Sequence, residues 1–593
     1  MERFILVDHS LSAADGHHFE YAVNVLSEAE ASGYQPILVA NQRFRRHAAG
    51  LVPSHWEVIP LYRYSAYHRY SQESLPAVSA TGTAYNSCSC VNLRDPKKSL
   101  GALFVDSLAK LGKHLRAVRD HLGKWKRVRS FAHHTHIWWN RIDPNPHDIV
   151  FFPTLTSFDL VCLVKFLAAL PESSRVTWHL QFHFDFLCDE VETGKDYYVI
   201  QMRDFFELLF RRIPHHRILF YTTTEPLARQ YNQLRIGNFT CLPYPVSPQL
   251  GPAPPRRDAQ PISVACVGCL RPEKGYQHLQ GVVDRLWQTH FATGRARLMI
   301  QVNGELLSDM LARKGGGRNL EKAIVRVPYP LAGKAWRDVV RSTDVALFPY
   351  DRSRYRNRCS ALLLEMLASG KPVIVPAGCW LADQISEPTY QYQEQLLASH
   401  RTERLGEASF ASHTAREWHG EYELSPSGPY YLAGRLGGSS HALAQYVEVR
   451  LACYDERAQL LESQSVVVGP GSNPARREVP VLFRLPAGTR RVRLSVRDAF
   501  VAQPLCVEYC RWWVLCPPAT QAPIPLGSIG LTFSEPHEIA RLLDEILTHF
   551  DHYRAQACAQ ASYWQSKHHP QHTLRMLQAR QMMAKAAARL PAA

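Results

Sequence analysis

No apolar run in this 593-residue chain approaches the roughly 20 residues that a membrane-spanning helix requires. The opening MERFILVDHS has a short apolar stretch before Asp8 and does not read as a signal peptide. Disulfide-dense spacing is also missing from the 14 cysteines, as expected of a chain kept in a reducing cytoplasm. Cys266 and Cys269 form a CxxC with no second pair nearby, and Cys88 and Cys90 lie in a Ser- and Asn-rich stretch, so free thiols are expected. Glycine is short where a dinucleotide fingerprint needs three: the opening strand–loop–helix has only Gly16 there. No nucleic-acid module pattern occurs, and nucleic acid is not an expected partner. Acid is outnumbered as well, 53 Asp and Glu against 68 Lys and Arg, for a formal charge of +15. That excess favours anionic partners such as nucleotide phosphates or an acidic lipid surface.

What is present is alternation. The length calls for about two to four domains. FILV, PILVA, DIVFFPT, VTWHLQFHFDF and RILFYTTT read as buried strands, with helical spacing in HFEYAVNVLSEAEASG, SFDLVCLVKFLAAL and EPLARQYNQL between them. Repeated βα units predict a first parallel-sheet domain over 1–250, with an irregular basic elaboration at 42–125. Within the elaboration, KLGKHLRAVRDHLGKWKRVR can form a basic helix that either lies on an anionic membrane or packs on its domain. GPAPPRRDAQP marks a break. ISVACVG, RLMIQVNG, AIVRVPYP and DVALFPY then predict a second parallel sheet, over 258–385 and 520–575. Residues 386–425 read as a helical or irregular connector. The short alternating runs of 426–518 read as an inserted antiparallel β-sandwich, and 576–593 as a terminal helix and tail.

The densest signal is DVALFPYDRSRYRNRCSALLLEMLASGKPVIVP, Asp344 to Pro376: strand, Arg-rich loop, apolar helix, strand. A helix that opens after such a loop can hold an anion on its N–H groups. Glu365 is an acid inside that apolar helix, where a partner or a solvated face is needed to explain it. GCLRPEKG brings Arg271 and Lys274 to the mouth of another helix.

These motifs, with the looser DGHHFEYA, YTTTEPLARQY and LPYPV, resemble the retaining GT4-like (group 1) glycosyltransferases of GT-B fold over about 1–41, 148–385 and 525–590. The resemblance implies an α/β architecture of two Rossmann-like parallel-sheet domains facing a cleft. It also implies metal-independent, retaining transfer of a hexose from a UDP- or GDP-sugar to a glycan, lipid-linked or polysaccharide acceptor, with no other cofactor. His183, Arg271, Lys274 and Glu365 would carry catalysis, the Arg/Lys pair neutralising charge on the leaving diphosphate. Donor binding would fall to Gly16, Asn303, Tyr350, Asn357, Arg358, Cys359, Ser360, Ala361 and Glu365. His17, His18, His179 and Asp185 would meet the acceptor or the transferred sugar. Asn357 stands where the family has the first acid of an E-x7-E pair, and an amide cannot stabilise developing positive charge as a carboxylate does. A cytoplasmic location, peripheral contact with the inner face of the membrane and a homodimer are further expectations. The β-insert would bind glycan, through Trp512 or Trp513, or serve as scaffold. The alternatives are a non-catalytic glycan-binding GT-B protein and another GT-B enzyme such as a nucleotide-sugar epimerase.

Overall fold

The structure, a computed structural model, describes residues 2–13, 16–46, 50, 52–66, 123–171, 176–185, 196–252, 260–268, 271–301, 322–329, 331–409, 416–425, 431–437, 446–469, 473, 476–500, 505, 507–516 and 523–587. They divide into two compact units, Met1–Pro245 with Pro570–Ala593, and Val246–His569.

In the first unit, strands β1 (Arg3–Asp8), β2 (Gln35–Asn41), β3 (Glu57–Tyr62), β4 (Ile149–Leu155), β5 (Thr177–Phe182), β6 (Arg217–Thr222) and β7 (Phe239–Cys241) form one parallel sheet. Its order is β3-β2-β1-β4-β5-β6-β7. Strands covered on both faces have no need to alternate, which is why FILV and IVFF are continuous apolar runs, all buried. The order runs outward from β1 to β3 and then restarts at β4, so the topological switch lies between β1 and β4. β3 falls in the stretch expected to be irregular. Pro60 inside it hides a strand from pattern reading, but β3 is the sheet edge, where a missing N–H is tolerated. Most of the rest of 42–125 lies outside the described residues. The basic stretch emerges at 123 as a helix to 142 that packs by Arg127, Phe131, Thr135 and Trp138.

The second parallel sheet holds β8 (Ile262–Cys266), β9 (Ala296–Ile300), β10 (Ile324–Arg326), β11 (Val345–Leu347) and β12 (Val373–Pro376). The helix Trp380–Ser399 then leads into eight strands, β13 (Thr402–Ser409), β14 (Glu417–Glu423), β15 (Tyr431–Gly437), β16 (Val447–Tyr454), β17 (Leu460–Val468), β18 (Glu478–Arg484), β19 (Arg491–Asp498) and β20 (Tyr509–Leu515). The chain returns to the parallel sheet as β21 (Gly530–Phe533), completing the order β10-β9-β8-β11-β12-β21, with its switch between β8 and β11.

The insert pairs as β13-β20-β15-β18 and β14-β19-β16-β17, antiparallel throughout, the strand order of an eight-stranded jelly roll. Two corrections to the sequence reading follow. Residues 386–425 are no connector but the end of a long helix plus the first two jelly-roll strands, so the insert begins at Thr402. Trp512 is fully buried between the two sheets and offers nothing to a glycan. Inside its exposed edge strand β13, the β13-β20-β15-β18 sheet is covered on both sides: Leu432, Phe483 and Trp512 face the jelly-roll core, while Tyr431, Ala433, Leu482 and Leu515 join the core of the parallel-sheet domain with Phe550 and Tyr553.

The final helix is a single element, Pro570–Ala587, and belongs to the first unit, whereas the sequence reading divided it at 575 and gave its first turns to the second parallel-sheet domain. Arg580 Nη1 donates to Phe220 O and Thr240 Oγ1, both at 2.7 Å, and its guanidinium lies 4.7 Å from the Tyr221 ring centre.

Candidate functional site

The loops at the switch point of each parallel sheet carry several of the sequence-predicted residues. In the first unit β1 delivers Asp8, the helix Gly16–Ala31 opens with Gly16, His17 and His18, and the ends of β4 and β5 supply Pro153, Thr154 and His183. Gly16 takes φ +67°, the left-handed turn that lets the chain enter the helix. His18 Nδ1 donates to Asp8 Oδ2 at 2.8 Å, and its ring lies 4.2 Å from that of His17. Burial works against the Asp8 carboxylate, but His18 and His9 outweigh it and hold its pKa below the ordinary value. Tyr244 Oη donates to His17 O at 2.8 Å.

His183 Nε2 donates to Pro153 O at 2.5 Å. Burial, with His18 beside it, lowers its pKa to about 4, so the ring is neutral near pH 7 and Nδ1 is its acceptor. Asp185 follows, half-buried, on the loop after β5.

The structure does not bring His179 to these loops. It sits inside the unit, fully buried, with Nδ1 at 3.0 Å from Tyr221 Oη and Nε2 at 3.0 Å from Gln581 Oε1 of the last helix. Its neighbour along the strand, Gln181, accepts from Tyr21 Oη at 2.6 Å. His179 is a core residue.

Pattern reading missed the layer beneath. His9 Nε2 lies 3.3 Å from Asp159 Oδ2, Arg127 Nη2 reaches Asp159 Oδ1 at 2.5 Å, and all three side chains are buried. Burial opposes the Asp159 charge, but His9 and Arg127 overcome it and push its pKa well down. Asp159 also closes a capping box with Thr156 at the start of the helix Ser157–Leu167. The visible signal was Asp8-His9 closing an apolar strand.

In the second unit the loop after β8 meets the loop after β11. Gly275, at φ +67°, lies so close under Pro349 that an added Cβ would stand 1.7 Å from its carbonyl oxygen. Asp351 N donates to Glu273 O at 2.8 Å. Lys274 Nζ lies over the Tyr350 ring, 5.4 Å from its centre, and beside Gly268. Arg271, the N-cap residue of the short turn Pro272–Lys274, pairs with Glu273 at 3.2 Å. Burial raises the pKa of the Tyr350 hydroxyl well above the ordinary value, and that of Tyr355, 4.6 Å away ring to ring, to about 12.

Asn357, Arg358 and Cys359 follow, half-buried, and Ser360 caps the helix Ala361–Ala368 through Leu363 N at 3.4 Å. Glu365, 5% exposed, accepts from Trp336 Nε1 at 2.8 Å. The acid in the apolar helix is therefore buried and partnered, not solvated. Asn303 and Cys269 lie outside the described residues. Among the described residues no group of three His, Cys, Asp or Glu is placed to hold a metal ion, and no helix is long and apolar enough to cross a membrane.

No family model and no curated protein matches the chain. Solved structures similar to it include a glycosyltransferase from Rickettsia africae (9% identity over 66% of this chain and 83% of that one, TM-score 0.35) and HepE from Anabaena in complex with UDP-glucose (12%, 66% and 84%, TM-score 0.36). The N-terminal domain of trehalose-6-phosphate phosphatase from Candida albicans is similar to a comparable degree (12%, 65% and 85%, TM-score 0.38). Likenesses this distant carry no weight for activity, and the architecture stands on the strand order itself.

Proposed function

We propose that this protein is a glycosyltransferase of GT-B type, taking a UDP- or GDP-sugar and passing the sugar, with retention and without a metal, to a glycan or lipid-linked acceptor at the cytoplasmic side. One observation carries the reading. The β8 and β11 loops interlock at the switch point of a parallel sheet, with Arg271, Lys274 and the N-terminus of the helix Ala361–Ala368 on them. Ligands of open parallel sheets lie beyond the strand ends at such a switch, and these groups suit a diphosphate.

Arg271 and Lys274 would neutralise the leaving phosphate, and the helix N-terminus would take its distal oxygens. Glu365, oriented by the Trp336 indole, is assigned to the ribose. His183 Nδ1 would accept from a hydroxyl of the transferred sugar, while His17, His18 and Asp185 are the acceptor-side groups. Asn357 favours a second reading, a protein that binds the donor without turning it over.

Calorimetric titration with UDP, GDP and their sugars tests the proposal. The wild type should bind one of them, and Arg271→Ala with Lys274→Ala should weaken it by about 10- to 100-fold. Equal affinity in the double variant would refute the assignment. Donor turnover in the wild type, compared with Asn357→Glu, separates the enzyme from the non-catalytic reading.

A further inference from the structure

The jelly roll reaches into the loop just described. Beyond β19 the chain turns at Asp498, whose Oδ1 accepts from Phe500 N at 2.9 Å, and Ala499 N donates to Tyr446 O at 2.9 Å. The half-buried Phe500 ring this presents is met by two arginines of the 351–360 loop: the Arg356 guanidinium carbon lies 4.6 Å from the ring centre and that of Arg352 lies 5.3 Å away. The ring also fills the space over Gly378, where an added Cβ would meet Phe500 Cζ at 2.5 Å. Gly378 precedes the helix Trp380–Ser399, and Trp380 N donates to Arg356 O at 2.9 Å. Tyr446 packs edge-on to Phe500 at 5.6 Å and donates to Asp383 Oδ2 at 2.7 Å.

Jelly roll, helix start and Arg-rich loop are thus tied at one ring. On its other side the same loop is tied to the β8 loop through Asp351 N and Glu273 O. A guanidinium stacked on an aromatic face is held in orientation while its N–H groups stay in the plane, at the edge. A loop carrying four arginines within seven residues, Arg352, Arg354, Arg356 and Arg358, repels itself, and an aromatic wedge offsets that repulsion.

We infer that Phe500 is a positioning residue for the anion-binding loop 351–360, so that the jelly roll is a working part of the nucleotide-sugar half-site. The inference rests on the function proposed above and adds that the insert sets the affinity of that site. Nothing in it requires the insert to bind glycan.

The test uses the full chain as wild type, Phe500→Ala and Phe500→Tyr, with hydrogen exchange of the 351–360 amides and calorimetry with UDP and GDP. Phe500→Ala should speed exchange across 351–360 by about tenfold and raise the nucleotide Kd by about tenfold, as loss of two cation–π contacts implies. Binding stoichiometry should be unchanged and Phe500→Tyr should restore both values. A merely structural defect would instead lower the number of competent sites at constant Kd, and that outcome overturns the inference. So does wild-type exchange in Phe500→Ala. If the wild type itself binds neither nucleotide, the proposed function fails and takes this inference with it. If the wild type binds and Phe500→Ala binds equally well, the inference about Phe500 alone fails.

Discussion

Gly275→Ala is the most discriminating single change, because the space around Gly275 is closed by backbone. Its φ of +67° is left-handed, which costs an L-alanine about 1–2 kcal/mol. The new Cβ would stand 1.7 Å from Pro349 O and 2.7 Å from Pro349 C, against an ordinary carbon–oxygen contact of about 3.3 Å. Main chain must therefore move by about 1.5 Å, and forced displacement in a packed interior costs about 1–3 kcal/mol. Together these give about 2–5 kcal/mol, or a melting temperature lowered by roughly 3–7 °C for a unit spanning Val246–His569. Gly281→Ala is the matched control. Gly281 lies six residues further on, in the helix Leu279–Leu286, exposed and with nothing within 4 Å of an added Cβ. The same chemical change there should stabilise by about 0.5–1 kcal/mol. Side-by-side thermal unfolding of the full-length variants reads both signs. A Gly275→Ala protein that melts at or above the wild type would refute the claim that the two loops meet backbone against backbone.

Two further outcomes follow from polar groups of the first unit, one buried and one half-buried. His179 has its pKa pushed down to about 4 by burial, below the roughly 6.5 of an unfolded histidine, so the unfolded chain binds the extra proton between those values. Its contribution is constant above pH 6.5 and stability falls as the pH drops toward 4, by up to about 3 kcal/mol. Urea midpoints of His179→Gln should be correspondingly flatter over that window, and identical pH slopes would dismiss His179 as the source. Arg580→Ala removes the guanidinium that bonds Phe220 O, Thr240 Oγ1 and, at 3.1 Å, Asn238 O. It should cost about 2–3 kcal/mol and open the last helix to trypsin, whereas an unchanged digestion pattern would show that the helix is held by apolar packing alone.

The parallel sheets were readable because both faces of their strands are buried, so FILV and VIVP appear as unbroken apolar runs. The start of the jelly roll was not. β13 is an edge strand whose residues are mostly exposed on both sides, and TERLGEAS accordingly has no alternation to detect. β14 does alternate, but its inward residues, Trp418, Gly420 and Tyr422, sit among Glu417, Glu421 and Glu423, so the acids mask the pattern. His179 failed for a different reason. A histidine near the end of a strand looks the same whether it faces a ligand or a core, and what decided it was Gln581, 402 residues away on the last helix. No local window contains that information.

The residues that bear charge were easier to find than those that place them. Lys274 and Arg271 advertise themselves at a helix mouth, and Glu365 stands out in ALLLEMLA. Yet Lys274 reaches over Tyr350 only because Gly275 lets the backbone slide beneath Pro349, and because Gly268, at φ +116°, leaves room for its ammonium group. Glu365 can be buried because Trp336, on the helix Gly333–Ser342, hands it an indole N–H, since a buried polar group without a hydrogen-bond partner is costly. Each of these supports is a glycine or an aromatic, residue types that a sequence uses mostly for turns and cores, so their function is invisible until the partner is known. The Arg-rich loop makes the same point most strongly. Its arginines are read at once as an anion site, while the ring that orders two of them is Phe500, more than 140 residues downstream and in a different kind of domain. Chemistry in this chain is written locally, and its geometry is imposed from elsewhere.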